Sequence, residues 1–449
     1  MAETVTKGLH GCSAEETYIA PTEPLLQERL EWFRDQKLAL MMHFGPYSQM
    51  AIGVSSPLVD ADTPSRRRID WTEDHALFRK QYFDLNKSFN PVCFQPDQWA
   101  DFAQENGFKY LIFTTKHHDG FCMFDTQYTD YKITAPDCPF HTHQHANFAK
   151  ALFDAFREKG MGIAAYFSKS DWHSPYYWAE GVEKPVASTR MATYYPPDHP
   201  ELWEKFTEFA HNQILELIRD YGRIDILWLD GGHVKPQTGE DIQIGRVIAK
   251  AREMQPWLLA VNRTAADAFE DYITPEQAIP DRVISVPWES CVTIGTQWGY
   301  VYDDTYKSAR TLVHMLIEVV SHGGNLALNI GPQPNGVLPA GAVASVQGLG
   351  QWLKVNGEAI YGTRAAEQET NGSILYTKKG ETLFAILPLQ EGQTPGKRIM
   401  IPAIKDVAHV SCLAYDGELS FEKQAGGVVV ELPPELAESK AYALAFSLK

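Results

Sequence analysis

Short apolar runs recur along most of the chain, separated by segments whose apolar positions return every three or four residues. "LALMMHFGPY" (38–47), "KYLIFTTKHHDGF" (109–121), "GIAAYFSKSDW" (162–172) and "IDILWLDGG" (224–232) read as strands covered on both faces, as in a parallel sheet. "PDQWADFAQENG" (96–107), "NFAKALFDAFREKGM" (147–161) and "LWEKFTEFAHNQILELIRDYG" (202–222) carry helical spacing. A helix near "IQIGRVIAKAREMQP", strands at "LLAVNR" (258–263) and "VISVPWES" (283–290), and "HMLIEVVSHGGNLALNIGP" (314–332) continue the series. Alternating strand and helix predicts an α/β fold with parallel strands. So many units in one series favour a closed (β/α)8-like barrel over an open doubly wound sheet. The first strand is not followed by G-x-G-x-x-G, which removes the usual support for a dinucleotide-binding domain. From about residue 365 the runs become short and are divided by Gly and Pro, as in "GSILYTKKGETLFAILP" and "GGVVVELPP". That grammar predicts a C-terminal β-sandwich, with residues 1–362 as the barrel and 363–449 as the second domain.

Composition narrows the function. A formal net charge of −17 argues against a nucleic-acid partner and against anionic lipid. The one dense basic run, Arg66–Arg68, reads as a solvated loop. No apolar stretch reaches the ~18 residues of a membrane span. The first residues lack the apolar stretch of a signal peptide, so the expected location is the cytoplasm, or outside the cell if a leader has been removed. The six cysteines are scattered without a C-x-x-C and are expected as free thiols. Oligomeric state stays open, with a homo-oligomer among the options.

In a βα barrel the chemistry gathers at the carboxyl ends of the strands. Those ends carry His43; Lys116, His117, His118 and Asp119; Tyr166, Ser168 and Asp171; Trp228 and Asp230; Asn262 and Arg263; and Trp288 with Glu289. Imidazoles, a guanidinium, carboxylates and indoles converging on one face suit a sugar, which has polar edges and an apolar face. Asp230 and Glu289 are 59 residues apart, about two βα units of roughly 30 residues each. A carboxylate pair of this kind is what glycoside hydrolysis needs, one as nucleophile or base and one protonated as acid. Structural roles remain open for both histidines, for Glu289 paired with Arg263 or Arg282, and for Trp228 and Trp288 as core. The "HTHQH" run (His141, His143, His145) lacks the spacing of a helical zinc site.

"MMHFGPYS", "FTTKHHDGFCMFDTQYTDYKI", "ILWLDGG", "VPWESCVTIGTQWGY" and "GGNLALNIGPQPNGVLP" resemble the retaining α-L-fucosidases of glycoside hydrolase family 29. The resemblance runs from about residue 25 to 362 and more loosely into the C-terminal domain. It implies an exo-acting hydrolase that releases terminal α-L-fucose from fucosylated glycans through a covalent intermediate, without metal or organic cofactor. It implies Asp230 as nucleophile and Glu289 as acid/base, a position that varies within the family. It further implies sugar binding by His43, Trp71, His117, His118, Tyr166, Trp228 and Arg263. Asp70-Trp71 stands where the family has Glu-Trp, and Gln297 where a small residue is common. Trp228 and Trp298 are expected against the C5 methyl of a 6-deoxy sugar. Asp230 is expected to stay ionised beside a protonated histidine or Arg263, and Glu289 to have a raised pKa from partial burial. An α-L-galactoside hydrolase and an inactive sugar-binding relative are the alternatives.

Overall fold

The computed structural model describes residues 5–59, 72, 74–181, 189–368, 373–404, 406–434, 436 and 439–448. Asp70 and Trp71, like Arg66–Arg68, lie outside the described residues. Seven strands form one parallel sheet: β1 (Leu38–Met42), β2 (Tyr110–Lys116), β3 (Gly162–Ser168), β4 (Ile226–Asp230), β5 (Leu259–Asn262), β6 (Glu289–Thr293) and β7 (Asn325–Ile330). Their order is β5-β4-β3-β2-β1-β7-β6, so the sheet curls with β5 and β6 at its ends.

The gap between those two ends is closed by an irregular segment, residues 270–277. It touches β5 through a bridge from Glu270 to Val261, and the β6 side through bridges Ile273–Trp288 and Glu276–Cys291. The Asp271 amide donates to the Ala260 carbonyl, and the Cys291 amide to that of Pro275 (2.9 and 3.0 Å). This eighth stave has no continuous ladder, because Pro275 cannot donate and the chain bends there.

Side chains alternate along each strand and divide the core in two. Ala39, Met41, Tyr110, Ile112, Ala164, Tyr166, Ile226, Trp228, Val261, Cys291 and Ala327 pack together inside the barrel. Leu40, Phe113, Ala165, Leu227, Leu229, Val292 and Leu328 face outward and join the apolar faces of the helices. The helix Pro200–Asp220 shows how: Trp203, Phe206, Ala210, Ile214 and Leu217 are buried on one side, and Pro200 opens its first turn without losing a hydrogen bond.

This parity overturns one expectation. The run 283–288 is not a strand; Pro287 lies within it, and β6 begins at Glu289. Glu289 therefore stands at the amino end of its strand, at the foot of the barrel, and not at the mouth.

A six-stranded antiparallel sheet (Arg364–Ala365, Leu375–Lys379, Thr382–Pro388, Ala441–Leu448, Val407–Cys412, Tyr415–Glu418) follows the barrel and faces a three-stranded one (Arg398–Pro402, Gly427–Glu431, Phe421–Gln424). Tyr376, Leu383, Ile401, Val428, Val430 and Leu444 fill the layer between the two sheets. On its other face Leu375, Phe384, Ile386, Ala441 and Ala443 belong to the same apolar cluster as the barrel helices. The helix Ala340–Asn356 is tied to this sheet by the Trp352 indole, which donates to the Ala441 carbonyl (2.9 Å).

Candidate active site

β4 carries Trp228 and Asp230 on its inner face, and the chain turns away at Gly231 (φ 88°), a conformation that favours glycine. Asp230 opens into a cavity of about 310 Å³ at the mouth of the barrel. The cavity is lined by His43, His117, His118, Tyr166, Trp228, Asp230, Arg263 and Trp298, which brings together eight of the residues singled out in the sequence.

Each oxygen of Asp230 has a partner. The Arg263 guanidinium donates to Oδ1 (Nη1, 2.8 Å), and the Tyr166 hydroxyl donates to Oδ2 (2.6 Å). His118 Nε2 lies 3.5 Å from Oδ2. Burial alone would raise the Asp230 pKa, but Arg263, His118, Tyr166 and the Gly231 amide outweigh it and hold the carboxyl well below the usual carboxylate range. Asp230 is an anion at any working pH.

Of the two cations expected beside Asp230, a protonated histidine or Arg263, the one present is Arg263. Burial pushes His43 down to about 4 and His118 down to about 3, and holds His117 well below the usual imidazole range. At neutral pH they are uncharged hydrogen-bonding groups, and Arg263 is the cation in contact with Asp230. His43 Nδ1 lies 2.7 Å from Asn329 Oδ1, while the Asn329 amide nitrogen donates to the Trp298 carbonyl. That network assigns the proton to Nδ1 and leaves the Nε2 lone pair of His43 free to accept. His117 meets the Ser55 hydroxyl (2.6 Å) and His118 that of Ser168 (2.5 Å).

Glu289 is absent from this cavity. Its carboxylate is fully buried beneath it, held by the hydroxyl of Tyr110, the indole of Trp228 (3.1 Å) and, more weakly, the hydroxyl of Tyr272 (3.4 Å). Burial pushes its pKa up to about 7 against those three hydrogen bonds. The shift has the expected direction and the expected cause, burial, but the burial is complete and lies at the barrel floor. What Glu289 does is orient Trp228, whose ring stacks on Tyr166 (5.2 Å) and lies under Arg263 (4.7 Å).

The carboxylate that shares the cavity with Asp230 is Glu276. It sits near the end of the eighth stave, and its Oε2 accepts from Arg263 Nη2 (2.7 Å). One guanidinium thus bridges Asp230 and Glu276, with its Nε fixed by Thr274 (3.1 Å). Sequence reasoning passed over Glu276 because "TPEQAIP" has prolines on both sides and no strand pattern. The short run Tyr272-Ile273-Thr274 ahead of it was the available signal. Arg190 and His233 also line the cavity, as do Met41 and Cys291.

The "HTHQH" histidines serve packing. His141 Nδ1 bonds the Cys138 carbonyl (2.8 Å), and His143 stacks on Phe140 (4.4 Å). Among the described residues no cluster of His, Cys, Asp or Glu could hold a metal ion, and no helix is long and apolar enough to cross a membrane.

Known proteins are similar to this chain over nearly its whole length. The alpha-L-fucosidase family profile matches residues 8–358. The structure of alpha-L-fucosidase isoenzyme 1 from Paenibacillus thiaminolyticus superposes with a TM-score of 0.78 at 29% identity, over 95% of this chain and 100% of that one. The Thermotoga maritima alpha-fucosidase bound to a mechanism-based inhibitor gives 0.75 at 26% identity, over 96% and 100%. Human plasma alpha-L-fucosidase is 26% identical over 420 residues, 90% of this chain and 85% of its own.

Proposed function

The chain belongs to the alpha-L-fucosidase family of glycoside hydrolases, and from that premise we propose that Asp230 and Glu276 carry the release of α-L-fucose by double displacement. Asp230 attacks the anomeric carbon while Glu276 passes a proton to the departing glycosidic oxygen. The C–O bond breaks, and a β-linked fucosyl ester forms on Asp230. Glu276, now a carboxylate, takes a proton from water, and that water cleaves the ester to give α-fucose. The observation that carries this reading is the single Arg263 guanidinium joined to both carboxylates. A shared guanidinium favours the short separation of retaining enzymes, about 5–5.5 Å, over the longer inverting one. Glu276 takes the role that the sequence suggested for Glu289.

The substrate is a fucosylated glycan. His43, His117 and His118, being neutral, offer both lone pairs and N–H groups to the hydroxyls. Met41, Trp228, Cys291 and Trp298 supply an apolar wall that supports a C5 methyl. The extra hydroxyl of an L-galactoside would meet no hydroxyl, amide or carboxylate among those four side chains. Two carboxylates retained in the cavity speak against an inactive relative. Six unpaired thiols support a reducing compartment as the place of action; the relatives named as plasma enzymes make secretion the alternative, and cell fractionation separates the two.

Glu276→Ala tests the assignment. Turnover of a fucosyl oligosaccharide should fall on the order of 10²–10⁴-fold. α-L-fucosyl fluoride, whose leaving group needs no proton, should be cleaved far better, and added azide should yield α-fucosyl azide. Equal losses on both substrates, without azide product, would move the acid/base role away from Glu276.

A further inference from the structure

The stave that carries Glu276 is itself held from outside, by the beginning of the chain. Thr6–Lys7 pairs in parallel with Ala278–Ile279. The Thr6 amide donates to the Gln277 carbonyl (2.9 Å), and the Gly8 amide to that of Ile279 (3.0 Å). The backbone amide of Glu276 itself donates to the His10 carbonyl (2.9 Å). Farther along, the Ser13 hydroxyl donates to Glu270 Oε2 (2.6 Å), and the Tyr18 hydroxyl to the Asp271 carbonyl (2.9 Å). Contacts therefore run from Glu270 to Ile279, along the whole length of a stave that the barrel alone secures by isolated bridges.

Gly11 is the point of closest passage. It lines the cavity. Its φ is 67°, and a Cβ placed there would stand 3.0 Å from the Glu276 Cβ. The left-handed backbone and the missing side chain let the amino-terminal segment pass against Glu276 without displacing it.

We infer that residues 6–18 act as a strap that positions Glu276 over the glycosidic oxygen, with Gly11 as its positioning residue. This rests on Glu276 being the acid/base group. The strap touches the stave of the acid and not β4, which carries the nucleophile. A disturbed strap therefore spoils proton transfer more than nucleophilic attack.

The experiment measures Gly11→Ala and Ser13→Ala on a fucosyl oligosaccharide and on α-L-fucosyl fluoride, with Glu276→Ala in parallel and thermal unfolding for each. Gly11→Ala should lower kcat/KM on the oligosaccharide about 10–100-fold, the scale of a catalytic group misplaced by about 1 Å. The fluoride should lose less than about threefold in kcat/KM, which reports formation of the ester and not its base-assisted hydrolysis, because its departure needs no acid. Ser13→Ala removes one anchor outside the cavity lining and keeps the Gly11 turn, so it should show the same substrate bias to a smaller extent in a folded protein. Equal losses on the two substrates, or no loss in either variant, would overturn the strap as a positioning device. If Glu276→Ala shows the leaving-group bias and the strap variants do not, the strap inference alone fails. If Glu276→Ala shows none, the acid/base reading fails and the strap's role with it.

Discussion

Asp230 and Glu289 are both buried carboxylates, yet their environments drive them to opposite charge states. Asp230 has a guanidinium in contact and keeps its proton off; Glu289 has only neutral donors and holds its proton toward neutrality. The first arrangement suits the nucleophile proposed above. Asp230→Gly should cut turnover of aryl fucosides on the order of 10⁴-fold or more with an unchanged circular dichroism spectrum. Azide should restore activity with β-fucosyl azide as product, because it then attacks the α-fucoside directly. An α-azide product, or near-normal kcat, would remove Asp230 from the mechanism. The second arrangement makes a pH-dependent structural group. With a folded-state pKa raised from 4.5 to about 7, Glu289 binds its proton more tightly folded than unfolded. Its contribution to stability is fully present below about pH 4.5 and is lost as pH rises to about 7. Glu289→Gln cannot ionise, so relative to the parent it should gain up to about 3 kcal/mol between pH 5 and pH 8. Denaturant melts at the two pH values check this; a constant difference between the proteins would mean that Glu289 does not titrate in that range.

The elements that regular patterns specify were legible in the sequence, and those that rest on isolated contacts were not. β1 to β4 are apolar runs with helices between them, so Asp230, His117, His118 and Tyr166 could be placed at strand ends from the chain alone. The run 283–288 is as apolar as a strand, but Pro287 inside it cannot serve a central ladder. The true strand, Glu289–Thr293, is short and rich in hydroxyl and thiol side chains, because its inner face meets the polar foot and wall of the barrel. The stave 270–277 shows only the short run Tyr272-Ile273-Thr274, since it is held by bridges and by contacts from residues 6–18. Hydrogen exchange should show this difference: amides of 270–277 should exchange faster than those of β3 and β4, whose ladders open only with the barrel. Equal protection would mean that the stave is as firmly built as the regular strands.

At the scale of the whole molecule, the apolar cluster that supports the barrel helices does not stop where the barrel does. Leu375, Phe384, Ile386, Ala441 and Ala443 complete it from the C-terminal sheet. Arg310 reaches across to the Leu389 carbonyl (2.6 Å), and His314 Nε2 lies 2.9 Å from that of Lys440. A chain ending at residue 362 should therefore expose apolar helix faces and be recovered mainly as aggregate, whereas a soluble, active fragment would show that the barrel stands alone. The closing stave has a consequence of another kind, in descent. A regular strand admits no insertion without slipping its register and turning every side chain to the other face. A stave joined at a few bridges admits one. Lineages built on this barrel are free to lengthen, shorten or replace the stretch between Arg263 and Glu276 while Asp230 stays fixed at the end of its ladder. On the roles proposed above, the nucleophile would then stand on the element whose register is fixed, and the acid on the one whose length is free to change.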